Sequence, residues 1–138
     1  MPTRLTFADD SGQSLVEFAL ALPLLLVILL GVADLGRAFY YSSAIANAAR
    51  VGAAYAAADA SATASSIATR VCNETGFVPY SATAACPGLA TTATFGGGND
   101  AVVTVTYDFD FWSAYLVNRV FHVNPLVLRA SATFPSLQ

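Results

Sequence analysis

From Leu15 to Ala33 the chain offers nineteen residues of nearly unbroken apolar character, interrupted only by Glu17 and Pro23. At a rise of about 1.5 Å per residue, such a helix approaches the roughly 30 Å of a bilayer's hydrocarbon core. Helical patterning continues to about Ala58 with no further proline. Pro23 lacks an N–H and predicts a kinked or loosened turn, which membrane helices tolerate. Beyond Arg37 small residues take over. Ala44, Ala48, Gly52 and Ala56 recur every fourth position, and Ala49, Ala53 and Ala57 repeat the spacing. Small side chains four apart make a groove that another helix can approach closely. That groove packs either on a neighbouring subunit or on the chain's own domain, and both readings can hold at different heights.

Later the period changes to two. Ala101, Val103, Val105, Tyr107, Phe109 and Phe111 alternate with Val102, Thr104, Thr106, Asp108 and Asp110. Leu126, Leu128, Ala130, Ala132 and Phe134 likewise alternate with Val127, Arg129, Ser131 and Thr133. Both are half-buried strands with one apolar face. Two strands rarely suffice alone, and Ala90 to Phe95 supplies a third. The expected fold is α+β: a long N-terminal helix, transmembrane and continuing outside the membrane, packed against a small antiparallel sheet. Residues 1–12 read as a short polar leader, 13–58 as the extended helix, and 59–138 as a small extracytoplasmic domain. Within that domain, Asp59 to Ser66 is a hinge or the start of a second helix. Cys72 to Leu89 contains Gly76, Pro79, Pro87 and Gly88 and reads as a loop, and Gly96 to Asp100 as a turn. Ser113 to Pro125 is a short helix over the sheet or a flap touching the membrane surface.

Composition narrows the possible functions. The 138 residues are 56% hydrophobic and 11% charged, far below the roughly 25% charged of soluble domains. Lysine is absent, the arginines are scattered singly and the net charge is -3. Nucleic-acid binding therefore has no electrostatic footing. Cys72 and Cys86 could pair in an oxidising compartment, closing a loop of about fifteen residues worth roughly 3 kcal/mol; two buried thiols are the alternative. Without companion His or Cys they make a poor metal site. His122 has no nucleophile or carboxylate at a diagnostic spacing. Asp108 and Asp110 read as solvated carboxylates on a strand's polar face, and Gly96-Gly97-Gly98 lacks the lysine of a phosphate-cradling loop. No catalytic site, metal or cofactor is expected.

The distinctive chemistry lies at the start of the apolar run, where Gly12 precedes Gln13-Ser14-Leu15-Val16-Glu17-Phe18. A carboxylate in a spanning helix costs a few kcal/mol unless it is paired or near the interface. A glycine followed five residues later by such a glutamate is where a prepilin-type signal is cut, and glycine lets a protease approach the backbone closely. Cleavage would free the amine of Gln13 about one helical turn from Glu17. In a bundle of such helices the amine of one subunit could neutralise Glu17 of its neighbour and fix the axial stagger. A secretory signal peptide fits less well, since its apolar region runs only about 7–15 residues and ends in a small-residue site, whereas Asp34, Gly36 and Arg37 follow here. Flanking charge does not settle orientation, but the cysteines and the cleavage motif argue for a cytoplasmic N-terminus.

Three blocks occur in order: Gly12-Gln-Ser-Leu-Val-Glu-Phe-Ala-Leu-Ala-Leu-Pro23, Gly31-Val-Ala-Asp-Leu-Gly-Arg-Ala-Phe-Tyr40 and Asn47-Ala-Ala-Arg-Val-Gly-Ala53. Together they resemble the TadE-like family, the minor pseudopilins of the bacterial tight-adherence (Flp, type IVc) pilus. The resemblance covers roughly residues 12–58 and implies processing by a prepilin peptidase between Gly12 and Gln13. It makes Glu17 and Phe18 the recognition and assembly positions. It also implies a non-enzymatic part in pilus assembly, adherence and biofilm formation. The implied partners are other pilin and pseudopilin subunits and the assembly proteins of the inner membrane. The alternative is an uncleaved, single-pass envelope protein whose small domain binds a surface partner.

Overall fold

The computed structural model describes residues 11–77, 86–95, 100–113 and 126–135. The leader through Asp10, the Gly96–Asn99 turn and His122 lie outside the described residues, as does all of the Ser113–Pro125 connection beyond Ser113. Helix α1 runs from Ser11 to Ala58 and continues through Pro23. Helix α2 spans Ala64–Thr75. Strands β1 (Leu89–Phe95), β2 (Asp100–Phe109) and β3 (Leu126–Pro135) follow. They form one antiparallel sheet in the order β1-β2-β3. The fold is α+β, as the pattern predicts.

Burial divides α1 in two. Residues 12–29 are all exposed, and an 18-residue apolar window averages a hydropathy of 2.7 with none of it buried. This helix is long and apolar enough to cross a membrane. Its second half carries a buried stripe of Ile45, Ala48, Ala49, Gly52, Ala53, Ala56 and Ala57, the three-and-four spacing of a helix face turned to a core. Ile67 and Val71 of α2, with Ala101, Val103 and Val105 of β2, complete that core.

Local chemistry sets the other elements. Asp59 accepts from the backbone N–H and hydroxyl of Ser61 at 2.9 and 2.6 Å, which turns the chain out of α1. Thr63 then caps α2 through a reciprocal box with Ser66, satisfying N–H groups that a helix start leaves free. The polar stretch after Asp59 is thus both a turn and the approach to a helix. Cys72 to Thr75, expected in a loop, instead form the last turn of α2, because Ile67, Val71, Cys72 and Thr75 make a buried stripe. Gly76 (φ +68°) closes that helix in the left-handed region that glycine enters freely.

The sheet follows the predicted alternation. Ala101, Val103, Val105 and Phe109 are buried, while Asp108 and Asp110 are exposed. Val103 pairs with Ala93 of β1 and with Ala132 of β3, placing β2 in the centre. The apolar face of β3 is only partly covered. Leu128, Ala130 and Ala132 pack on the core, whereas Leu126 and Phe134 are exposed because they overhang the strand's two ends.

Candidate functional site

The Gly12–Phe18 segment lies in the first turns of α1. Gly12, Gln13, Glu17 and Phe18 are exposed, and among the described residues nothing beyond Gly12's own stretch of helix comes within 4 Å of the position a Cβ there would take. The amide of Gln13 donates to Glu17 Oε1 at 3.1 Å. Helical spacing of four thus already joins the two residues whose relation the pairing idea requires. The link runs through the Gln13 side chain and does not involve its backbone nitrogen.

The small-residue row has a different environment. Ala48, Gly52 and Ala56 are buried and Ala44 is half-buried. A Cβ on Gly52 would lie 2.5 Å from Val71 Cγ2, 3.3 Å from Val103 Cγ1 and 3.7 Å from Ile67 Cγ2. The close helix neighbour at this height is therefore α2 of the same chain. Cys72 and Cys86 form a disulfide with their Cα atoms 6.2 Å apart. Cys86 begins a turn closed by the Leu89 N–H on the Cys86 carbonyl at 3.1 Å. Pro87 and Gly88 (φ +75°) occupy its centre, the arrangement of a type II turn. This turn brings Cys86 to α2 and launches β1.

A third locus joins the two halves of the molecule, and sequence reasoning reached only half of it. Asp34 and Arg37, three apart on α1, pair across one turn, with Nη1 to Oδ1 at 3.2 Å. Asp34 is 2% exposed and also accepts the backbone N–H groups of Trp112 at 3.0 Å and Ser113 at 2.8 Å. The Arg37 guanidinium lies 4.0 Å from the Trp112 ring centroid and 5.2 Å from that of Phe109. Beyond it, Tyr41 packs against Phe77, Tyr107 and Phe109. Tyr41 thus turns inward, unlike the exposed Phe39 and Tyr40 that precede it. The missed partner was Trp112, the chain's single tryptophan; the available signal was a carboxylate directly after an apolar run.

Electrostatics at Asp34 follow from these contacts, since it lies just outside the apolar stretch Leu15–Ala33. Burial pushes its carboxyl up, but the hydrogen bonds from Ser113 and Trp112, with the Arg37 charge, outweigh burial and hold it below 3.8. The carboxylate is thus the stable form, and it clamps the end of β2 to α1. Among the described residues no group of three or more His, Cys, Asp or Glu could hold a metal ion.

No curated protein and no solved structure matches the chain. The family model described as TadE-like protein matches residues 12–54. That stretch holds the exposed Gly12–Phe18 motif, the Asp34–Arg37 pair and most of the small-residue row, and over it the chain is similar to the TadE-like family.

Proposed function

We propose that this chain is a pilin-like subunit of a bacterial tight-adherence pilus, a non-enzymatic minor pseudopilin that takes part in assembly. The observation carrying this reading is the TadE-like match over residues 12–54, together with the exposed Gly12, Gln13 and Glu17 at the head of an unburied apolar helix. Leu15–Ala33 anchors the chain in the inner membrane, with the N-terminus cytoplasmic and the α+β domain outside the cytoplasm. A prepilin peptidase cuts after Gly12. The freed ammonium of Gln13 neutralises Glu17 of an adjacent subunit, and any other register would leave a charge unpaired in lipid. Phe18, 60% exposed beside Glu17, adds an apolar contact to the same interface. The neighbours are other pilin and pseudopilin subunits.

The deciding experiment is the intact mass of the protein extracted from native membranes, compared with its Gly12→Glu variant. A chain beginning at Gln13, reverting to the full length in the variant, is the expected result. A wild-type chain beginning at Met1 or Pro2 overturns processing and leaves an uncleaved, anchored envelope protein.

A further inference from the structure

Trp112 is 63% exposed and yet firmly placed. Its backbone N–H is bonded to Asp34, and one face of its ring rests over Arg37. Asp34 is the first residue after the apolar stretch, so this latch sets the indole within about one helical turn of the point where α1 leaves hydrocarbon. Other large side chains are exposed at the same height: Leu35 is 71% exposed, Phe39 77% and Tyr40, whose ring also touches Tyr41, 58%. Asp34, Arg37 and Tyr41 face the end of β2; Leu35 and Phe39, four apart, emerge elsewhere on the helix. Aromatic and apolar groups therefore flank α1 on both sides of a polar pair that is itself enclosed.

Dimensions point to what covers this collar. Leu35 to Tyr40 rises about 7–8 Å along the helix. The polar headgroup layer adds about 5–7 Å to each side of the hydrocarbon core. Indole and phenol rings favour that layer because one end is apolar and the other polar.

We propose that the collar of Leu35, Phe39, Tyr40 and Trp112 is a lipid-binding surface, seating the folded domain in the headgroup layer of the bilayer from which α1 emerges. The occupant is a zwitterionic phospholipid interface, since the exposed Asp108 and Asp110 near the end of β2 repel an anionic one. The Asp34 latch holds the domain at a fixed depth on its helix. The proposal rests on Leu15–Ala33 spanning the membrane and goes beyond it, since a span alone leaves the domain free to stand in water.

A single tryptophan makes the test direct. The full chain is reconstituted in phosphatidylcholine vesicles carrying bromine either near the carbonyl end or near the methyl end of the acyl chains, and vesicle flotation is recorded on the same samples. The expected result is co-flotation, with Trp112 emission quenched more strongly by the carbonyl-end bromines. Asp34→Leu, which releases the latch, weakens that quenching while flotation persists. Three results overturn the proposal. In the first, co-flotation accompanies emission that is insensitive to either bromine and quenched by aqueous acrylamide; the span then stands and the collar faces water. In the second, emission shifts with protein density in the vesicle and not with bromine, so that a second copy covers the ring. In the third, flotation fails and the spanning reading falls as well.

Discussion

At Gly52 α1 packs directly against Val71 of α2, and replacing it with alanine separates two opposed effects. In an open helix, Gly→Ala stabilises by about 1 kcal/mol, because glycine loses more backbone freedom on folding. At Gly52 the new methyl would sit 2.5 Å from Val71 Cγ2 and 3.3 Å from Val103 Cγ1, when ordinary contact begins near 3.4 Å. Val71 is fully buried, and a helical valine holds one χ1 rotamer about 90% of the time, so it has no cheap way to turn aside. α2 is further tied by the disulfide at the adjacent Cys72. Overpacking of this kind costs about 1–3 kcal/mol, and two stiff neighbours place Gly52 in the upper part of that range. After the helix gain is subtracted, Gly52→Ala is expected to destabilise the domain by about 1–2 kcal/mol. Gly36 of the same helix is the control, since nothing lies within 4 Å of its would-be Cβ; there Gly→Ala is expected to be neutral or stabilising. Thermal unfolding of the full chain in detergent, followed by near-ultraviolet circular dichroism with the disulfide intact, should separate the two midpoints by on the order of 10 °C. Val71→Ala in the Gly52→Ala background should recover part of the loss, a coupling expected of residues in contact. A Gly52→Ala midpoint at or above the wild type refutes the close approach of α1 and α2.

Further expectations follow from three other loci. Asp34→Leu leaves two backbone N–H groups and Arg37 without their acceptor and should cost about 1–3 kcal/mol, read as a lowered unfolding midpoint. Because the Asp34 carboxyl is held below 3.8, its contribution is complete above that pH and is lost as the pH falls from 3.8 toward the folded-state value; an acid titration of Asp34→Asn should lack this step, and one identical to wild type removes the latch's charge from the account. Reducing the Cys72–Cys86 bridge, separated by 14 positions, should destabilise by roughly 3 kcal/mol, measured as a denaturant midpoint with and without reductant. Glu17→Ala should insert in membranes and unfold at the wild-type midpoint, since its carboxylate is exposed and bonded to an equally exposed Gln13 amide, yet it should fail to support pili in cells; normal pili in that variant remove the amine–glutamate pairing.

What the sequence could disclose depended on the range of the interaction. The period-two alternation of Ala101 to Phe109 identified both the central strand and its buried face, because alternation is a local consequence of the pleat. The three-strand sheet and the long helix followed from equally local patterns. Helix α2 was half-visible: the polar Asp59–Ser66 stretch marked its approach, but the glycines and prolines that follow obscured the stripe of Ile67, Val71, Cys72 and Thr75. The small-residue row announced a close approach without saying to what, since alanines four apart look the same whether α2 or another subunit fills the groove. The Asp34–Trp112 contact was invisible because it joins backbone N–H groups 78 and 79 positions away, and backbone donors leave no signature in side-chain identity. The Gly12–Glu17 segment stands out in the sequence because its residues are nearly consecutive, and the chemistry read from it is the proposal above.

Glu17 and Asp34 stand at opposite ends of the apolar run, seventeen residues apart, or about 26 Å along the helix. That distance nearly matches the roughly 30 Å hydrocarbon layer, so a helix spanning as proposed would hold both carboxylates where lipid gives way to polar surroundings. Their satisfaction differs sharply. Asp34 accepts from two backbone N–H groups and an arginine within its own chain and has little left to offer a partner. Glu17 is exposed, and the contact it makes to Gln13 is with an equally exposed amide. A buried charge already satisfied contributes to the fold, whereas an exposed charge at the edge of hydrocarbon gains most from a partner brought from outside. On the proposed assembly, Glu17 is therefore the residue open to a neighbour, and Asp34 couples the helix to its own domain. Because α1 is continuous through Pro23, a stagger imposed at Glu17 would then be carried along the helix to the latch, and from there to the sheet.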